Sequence, residues 1–550
     1  MILDVHITSK SFGANELYSG LDLSLNRGEK VGLIGRNGVG KTTLLDIISG
    51  VDTDFAGEVY IKKGLTLISS RQEHHEHSDL TMLEYVLGDL PEFTKLKHIL
   101  DTYPAVMGEQ PRKMHIYGEA LERFMTLGYF EIENTIQSYL DAYQLPRDIF
   151  DRKISSLSGG QLRLVELIKV QVASAHIILI DEPTNHMDYI AKASFIKWLK
   201  AANEAMLIIT HDRDVLMHVD RIVEIRDGEA VNYIGNYDQY LKINTDRMSG
   251  AVNEYQIAKS RIVNLEADLI RFRRLKEKSR TPGTIRRFKS LEQRTVKELA
   301  ELKEQDKPSF WIDQDSVKDL STKLKNAYSE HKSATIRLNL PKQEDVERRL
   351  LKVNALSLGY DAPLFQPVNF ELYSNTRLQL RGRNGAGKTT LVTALIDTLN
   401  GQQLRSKVSG GQIEISYQAS VGVYKQTFEE RYLEMTLHDA IEHVYRDNDL
   451  PITDQKIRGL LDDYLFDANS DGSKIVRVLS GGQKARFQLI AMLANRPQIL
   501  FLDEPTNHLD LPSIEELELA LQQYHGAIVY VSHDSRFSEA IGGKIVDLAL

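Results

Sequence analysis

Four short motifs occur twice in this chain, in the same order. Gly35 to Thr42 (Gly-Arg-Asn-Gly-Val-Gly-Lys-Thr) returns as Gly382 to Thr389, and Leu157-Ser-Gly-Gly-Gln161 returns as Leu479-Ser-Gly-Gly-Gln483. Asp181 to Asp188 (Asp-Glu-Pro-Thr-Asn-His-Met-Asp) returns as Asp503 to Asp510, and His211-Asp212 returns as His533-Asp534. The pairs Ser158/Ser480, Glu182/Glu504 and His211/His533 are each 322 residues apart. A chain of 550 residues exceeds what one hydrophobic core fills. The register therefore divides it into two like domains, at 1–244 and 341–550, with an unduplicated segment at 245–340 between them.

The first motif follows an apolar strand pattern, Val31 to Ile34 or Leu378 to Leu380, and opens a helix. Its glycines let backbone N–H groups face phosphate oxygens, its lysine (Lys41, Lys388) reaches the β and γ phosphates, and its threonine (Thr42, Thr389) offers a hydroxyl to Mg²⁺. The helix N-terminus adds partial positive charge. The Asp-Glu motif follows runs that read as buried parallel strands, Ile177 to Ile180 and Ile499 to Leu502. There the aspartate is placed for the Mg²⁺ shell, and the glutamate to orient or deprotonate an attacking water. A histidine follows a further strand pattern in each half, at Ile208 to His211 and Val529 to His533.

Together these motifs resemble those of the ATP-binding cassette ATPases, over nearly the whole of both halves. The resemblance implies an α/β fold with two P-loop cassettes in tandem, joined by a long α-helical hairpin, that hydrolyses ATP with Mg²⁺. It also implies that the Ser-Gly-Gly of one cassette closes over ATP held by the other. One site would join Gly35, Asn37, Gly38, Gly40, Lys41, Thr42 and Thr43, Gln72, Asp181, Glu182 and His211 to Ser480, Gly481, Gly482 and Gln483. The other would join Gly382, Asn384, Gly385, Gly387, Lys388, Thr389 and Thr390, Gln426, Asp503, Glu504 and His533 to Ser158, Gly159, Gly160 and Gln161. In this scheme Glu182, Glu504, His211 and His533 are catalytic, and Thr42, Gln72, Asp181, Thr389, Gln426 and Asp503 surround the metal. Phe12 and Tyr360 match the family's adenine-stacking position, with core packing as the alternative. Ser409-Gly-Gly-Gln412 lacks the preceding leucine and reads as a hairpin.

The Asp-Glu-Pro-Thr-Asn-His-x-Asp form of the motif in both halves, with Gly235-Asn-Tyr237-Asp-Gln-Tyr240 before the linker, is similar to the ABC-F proteins. That resemblance implies a cytoplasmic ATPase that binds the ribosome when ATP-closed and leaves on hydrolysis. Its linker would reach toward the peptidyl-tRNA and peptidyl-transferase region, contacting ribosomal RNA and tRNA, as a translation factor or in protection from antibiotics. The alternatives are the ATPase subunit of a transporter and a DNA-repair or chromosome ATPase. The former's tandem relatives lack this linker; the latter usually carry zinc cysteines or coiled coils inserted within a cassette.

The linker's own residues fit this reading. Tyr255, Ala258, Ile262, Leu265, Leu269 and Phe272 recur at spacings of three and four, predicting a helix over 248–279. A return helix is expected over about 284–305, with Phe288, Leu291, Leu299 and Leu302 on its stripe. From Arg271 to Lys297 eleven Lys and Arg stand against Glu277 and Glu292, a net charge of +9 in a chain whose total is −9. Gathered positive charge suits a phosphate backbone, and a solvated spacer is the alternative. Thr281-Pro-Gly283 is the turn signal; Phe310-Trp311 is either a second working end or packs against a cassette. A third helical pattern follows on Val317, Leu320, Leu324 and Ala327.

Between Gln72 and Ser158 the first half holds 32 more residues than the second does between Gln426 and Ser480. The surplus, about 91–128, reads as a helical pair broken at Tyr103 to Pro111, either an arm like that which some ABC-F members direct at the ribosomal L1 stalk or an enlarged helical subdomain. Absence of cysteine excludes disulfides and thiolate metal sites. No apolar run approaches the roughly 18 residues that span a bilayer, and Met1 to Lys10 lacks a signal pattern. The expectation is a monomer whose cassettes close on each other, with no membrane or disulfide partner. The chain ends at Leu550, directly after its last strand pattern, so the C-terminal extension of some ABC-F members is expected to be absent.

Overall fold

A computed structural model describes residues 1–12, 15–70, 78–106, 108, 110–173, 175–185, 187–278, 282–303, 347–360, 362–416, 419–425, 429–467, 470–507 and 509–548. The contacts divide the chain into two compact units, one of Met1–Tyr237 with Ile336–Leu550 and one of Asp238–Thr335. The first unit holds both halves of the repeat.

Each half is built on a sheet with a parallel core. In the first half its order is Glu229–Ile234, Arg221–Arg226, Lys30–Gly35, Ala205–Ile209, Ile177–Asp181, Leu67–Ser69, parallel but for the outer Glu229–Ile234 hairpin strand. In the second it is Val421–Tyr424, Ile499–Asp503, Ala527–Val531, Arg377–Arg381, Lys544–Asp547. The continuous apolar runs arise because these strands are buried on both faces. Ile178 and Ile180 face one core with Met206 and Ile208, while Ile177 and Leu179 face a second with Leu207 and Ile209. Leu500 and Leu502 are likewise separated from Ile499 and Phe501. Antiparallel strands flank each sheet, Leu3–Phe12 pairing with Leu21–Leu25 and Ala56–Ile61, and Arg349–Gly359 with Val368–Tyr373 and Lys407–Ile415.

Ser409 to Gln412 lies within the strand Lys407–Ile415 and forms no hairpin turn. Its Gly411 has φ 74° beside a register shift of the partner strand, and a Cβ there would collide with the carbonyls of Asn354 and Ala355. The two glycines serve a bulge. The surplus of the first half contains the helices Phe93–Val106 and Pro111–Thr126, packed on each other, with Phe93, Phe124 and Tyr129 in mutual ring contact. The first runs through Pro104 and ends at Val106, inside the expected break at Tyr103 to Pro111, since a proline in a last turn disrupts little of the ladder behind it.

The unduplicated segment carries the helices Tyr237–Lys278 and Pro282–Lys303. The first has 42 residues, about 63 Å at 1.5 Å each, and starts eleven residues before the expected Met248. Tyr237 fixes that start, being 1% exposed with the Arg536 guanidinium 5.0 Å from its ring. Within the hairpin Phe272 stacks on Phe288 at 6.4 Å, Leu265 and Thr295 are buried, and Arg261–Glu298 and Arg273–Glu292 pair at 2.8 and 3.1 Å. Residues 304–346, with Phe310 and Trp311, and Thr281 of the turn lie outside the described residues. Among the described residues no helix is long and apolar enough to cross a membrane.

Candidate ATP sites

The phosphate loops are shaped by their last glycines. Gly40 and Gly387 cap the helices Lys41–Ser49 and Lys388–Leu399 with φ 94° and 83°. A Cβ on Gly40 would stand 2.6 Å from the Tyr18 hydroxyl, and one on Gly387 would stand 3.0 Å from the Phe365 ring. Only glycine meets both demands. Lys41 Nζ donates to the carbonyls of Gly35 and Arg36 at 2.8 and 3.1 Å, and Lys388 to those of Gly382 and Arg383 at 2.8 and 2.9 Å. Burial pulls both lysine pKa values down, a cost that an anion in the loop would offset.

Each parallel strand end delivers two carboxylates with different environments. Asp181 accepts from the Thr42 hydroxyl at 2.8 Å and Asp503 from Thr389 at 2.9 Å. The next residues, Glu182 and Glu504, have φ 45° and 51°, the left-handed region in both copies. Such strain persists only where the surroundings fix it. Here the glutamate N–H groups donate to Ile209 at 2.8 Å and Val531 at 3.0 Å. The ring of His211 comes to 3.7 Å from Glu182 and that of His533 to 3.2 Å from Glu504.

Burial, reinforced by the adjacent aspartate, pushes Glu182 and Glu504 up to about 8. Burial, with Lys41 or Lys388 beside it, pulls His211 and His533 down to about 3. At neutral pH both imidazoles are therefore neutral and these close approaches are not ion pairs. Both ring nitrogens of His211 and Oε1 of Glu504 are buried without a hydrogen-bond partner. Those orphaned groups line a cavity that also holds Lys41, which suits a phosphate and its attacking water.

A carboxyl raised in the fold binds its proton more tightly folded than unfolded. Stability is then lost as pH rises from the ordinary 4.5 through about 8. The Glu182→Gln, Glu504→Gln variant without nucleotide is expected to melt higher than the parent at pH 8, by a few degrees. The difference should shrink toward pH 5, as scanning calorimetry at several pH values would measure. A constant or inverted difference contradicts the burial argument.

Two cavities join groups from opposite halves. One of about 720 Å³ is lined by Asn37, Gly38, Gly40, Lys41, Thr42, Thr43, Asp181, Glu182 and His211 with Ser480 and Gly482, and extends to Glu504 and His533. The other, about 1110 Å³, is lined by Gly382, Asn384, Gly385, Gly387, Lys388, Thr389, Thr390, Asp503, Glu504 and His533 with Ser158, Gly160 and Gln161. Either volume accommodates a nucleotide. Ser158 and Ser480 also cap their own helices in reciprocal boxes with Gln161 and Gln483. A Cβ on Gly482 would collide with the Asn37 side chain, so that glycine permits the approach.

Other expected members fall differently. Gly159 lines the first cavity, while Gly35 and Gln483 line neither. Tyr360 lies on the rim of the second cavity, 62% exposed. Gln72 and Gln426 lie outside the described residues, as does the side chain of Phe12. Asp188 and Asp510 were not singled out as site residues, yet they accept from the backbone N–H groups of Asn384 at 3.0 Å and Asn37 at 3.5 Å in the opposite half. Their recurrence at one position in both repeats was the available signal.

The family model described as ABC transporter matches residues 18–185 and 365–507. Putative ATP-binding protein YdiF of Bacillus subtilis (strain 168) is 31% identical over 557 residues, covering 100% of this chain and 80% of that protein. The chain belongs to the ABC-F family of tandem ATP-binding cassette ATPases. Probable ATP-binding protein YheS of Escherichia coli (strain K12) is 29% identical over 528 residues, covering 95% of this chain and 75% of that protein. An archaeal ribosome recycling factor, aABCE1, solved with ribosomal stalk protein aP1, shares the fold at TM-score 0.57 and 16% identity, covering 98% and 86% of the two chains. This ABC-F protein is thus a P-loop ATPase with two cassettes.

Proposed function

We propose that this ABC-F ATPase binds the ribosome in its ATP-closed state, reaches with its helical hairpin toward the peptidyl-tRNA and peptidyl-transferase region, and leaves after hydrolysis. The observation that carries the reading is the charge of the one unduplicated unit, +9 between Arg271 and Lys297 in a chain of net −9. Arg271, Arg273, Arg274, Arg286 and Arg287 are exposed on the two helices, where a nucleic-acid backbone can be met by several at once. ABC-F membership supports the same partner, ribosomal RNA and tRNA. The work done there is that of a translation factor or of protection from an antibiotic, in a cytoplasmic monomer.

In each site the phosphate loop and its lysine would bind and orient the triphosphate. The facing hydroxyl and carboxylate oxygens of Thr42 and Asp181, or Thr389 and Asp503, are hard donors that suit Mg²⁺, with Gln72 and Gln426 as further ligands. When bound, that ion supplies charge neutralisation at the β and γ oxygens. Glu182 and Glu504 hold the attacking water and take its proton, and His211 and His533 face the transferred phosphoryl group. Ser480 to Gly482 and Ser158 to Gly160 shut water out from the far side.

The test is cosedimentation of the Glu182→Gln, Glu504→Gln variant with purified ribosomes. Recovery in the ribosomal pellet with ATP, and loss of it with ADP, is the expected result. Absence from the pellet in both conditions overturns the ribosome assignment while leaving the ATPase intact.

A further inference from the structure

The two ATP sites are not copies of one another where the cassettes meet. Lys192, on the helix Tyr189–Ala201 of the first cassette, is 6% exposed. Its ammonium reaches Asp212 at 2.8 Å, Asp214 at 2.5 Å and, across the interface, the main-chain carbonyl of His533 at 3.1 Å. Asp214 also accepts from the Ser535 hydroxyl of the second cassette at 2.5 Å. Three acceptors match the three donors of an ammonium, and the two carboxylates keep it charged despite its burial.

The reciprocal place is differently built. Across the repeat spacing of 322, Lys192 corresponds to Ile514; both line the first cavity, and Ile514 has no side-chain donor. Asp214 corresponds to Arg536 and Ser535 to Arg213. Arg213 crosses the interface to Glu518 at 2.9 Å, both side chains buried, and Glu518 corresponds to Ile196. A cation of the opposite cassette therefore holds the backbone of His533, while the repeat places an isoleucine at the corresponding position of the second cassette.

We propose that Lys192 is a positioning residue that keeps the second ATP site, formed on Lys388, Glu504 and His533, closed on its nucleotide longer than the first, formed on Lys41, Glu182 and His211. The bond from Lys192 to the His533 carbonyl must break when the cassettes part at that site. It is charge-assisted and buried, hence among the stronger single contacts of the interface. The inference rests on the reading of Glu182 and Glu504 as the hydrolytic groups.

Two single variants separate the sites. In Glu182→Gln protein only the second site makes ADP, and in Glu504→Gln protein only the first does. Release of labelled ADP after a single turnover is measured in each, with and without Lys192→Ile. The expected result is release about tenfold faster in the Glu182→Gln background, the size of one charge-assisted bond, and unchanged in the Glu504→Gln background. Asp214→Asn, a milder change of the same shape, should give a smaller acceleration confined to the same site. Equal acceleration in both backgrounds, or none in either, overturns the proposal. A double Glu→Gln protein that still turns over ATP would instead overturn the assignment of the hydrolytic groups.

Discussion

ATP turnover by the Glu182→Gln, Glu504→Gln variant is expected to fall by about 10² to 10⁴, roughly 3 to 5 kcal/mol of barrier. The substitution keeps the shape of each side chain and the hydrogen bonds from its backbone N–H to Ile209 or Val531, so the strained φ at the strand end is retained. What it removes is the capacity to take a proton from water. The groups proposed to bind nucleotide, the loops at Lys41 and Lys388 with Thr42 and Thr389, are untouched. Equilibrium binding of ATP should therefore survive while phosphate release nearly stops, and the cassettes should stay closed. Unchanged steady-state phosphate release would sink the catalytic assignment of both glutamates.

Replacing Arg271, Arg273, Arg274, Arg286 and Arg287 with Ala is expected to weaken ribosome binding and to flatten its dependence on salt. Five lost phosphate contacts lower the slope of log K against log salt by about 3 to 4, taking roughly 0.7 per contact. All five side chains are exposed, and Arg273–Glu292 is an ion pair they form with a described residue, a surface pair worth about 1 kcal/mol or less. The hairpin should consequently remain folded, held by Leu265, Phe272, Phe288 and Thr295. ATP binding by the isolated protein should not change, since none of the five lines either cavity. Binding isotherms at several salt concentrations measure the slope; an unaltered slope rules out the hairpin as the phosphate-contacting surface.

Legibility in the sequence followed the range of the interactions. The phosphate loops, the strand-end carboxylates and the parallel strands were readable because each is specified within about ten residues and occurs twice. Buried strands such as Ile177–Asp181 and Ile499–Asp503 announce themselves as apolar runs because both faces enter cores. Other features were misread where a distant partner decides. The helix Tyr237–Lys278 starts early because Tyr237 packs with Arg536, far along the chain, and the intervening Asn244 and Thr245 argue locally for a later start. Ser409 to Gln412 looks like a turn until Arg349–Gly359 pairs with it as a strand.

By itself the sequence determined that two phosphate-binding cassettes flank a basic helical segment, since motif chemistry and charge are local properties of the chain. Only the tertiary structure decided that Gly482 meets Asn37, that Ser158 and Gly160 line one cavity with Lys388, and that Glu182 and Glu504 both sit in left-handed backbone. It alone also decided that Lys192 reaches His533, 341 residues away, where the repeat places an isoleucine on the other side. Such contacts depend on how two separately folded cores approach, and no spacing within either repeat encodes that approach.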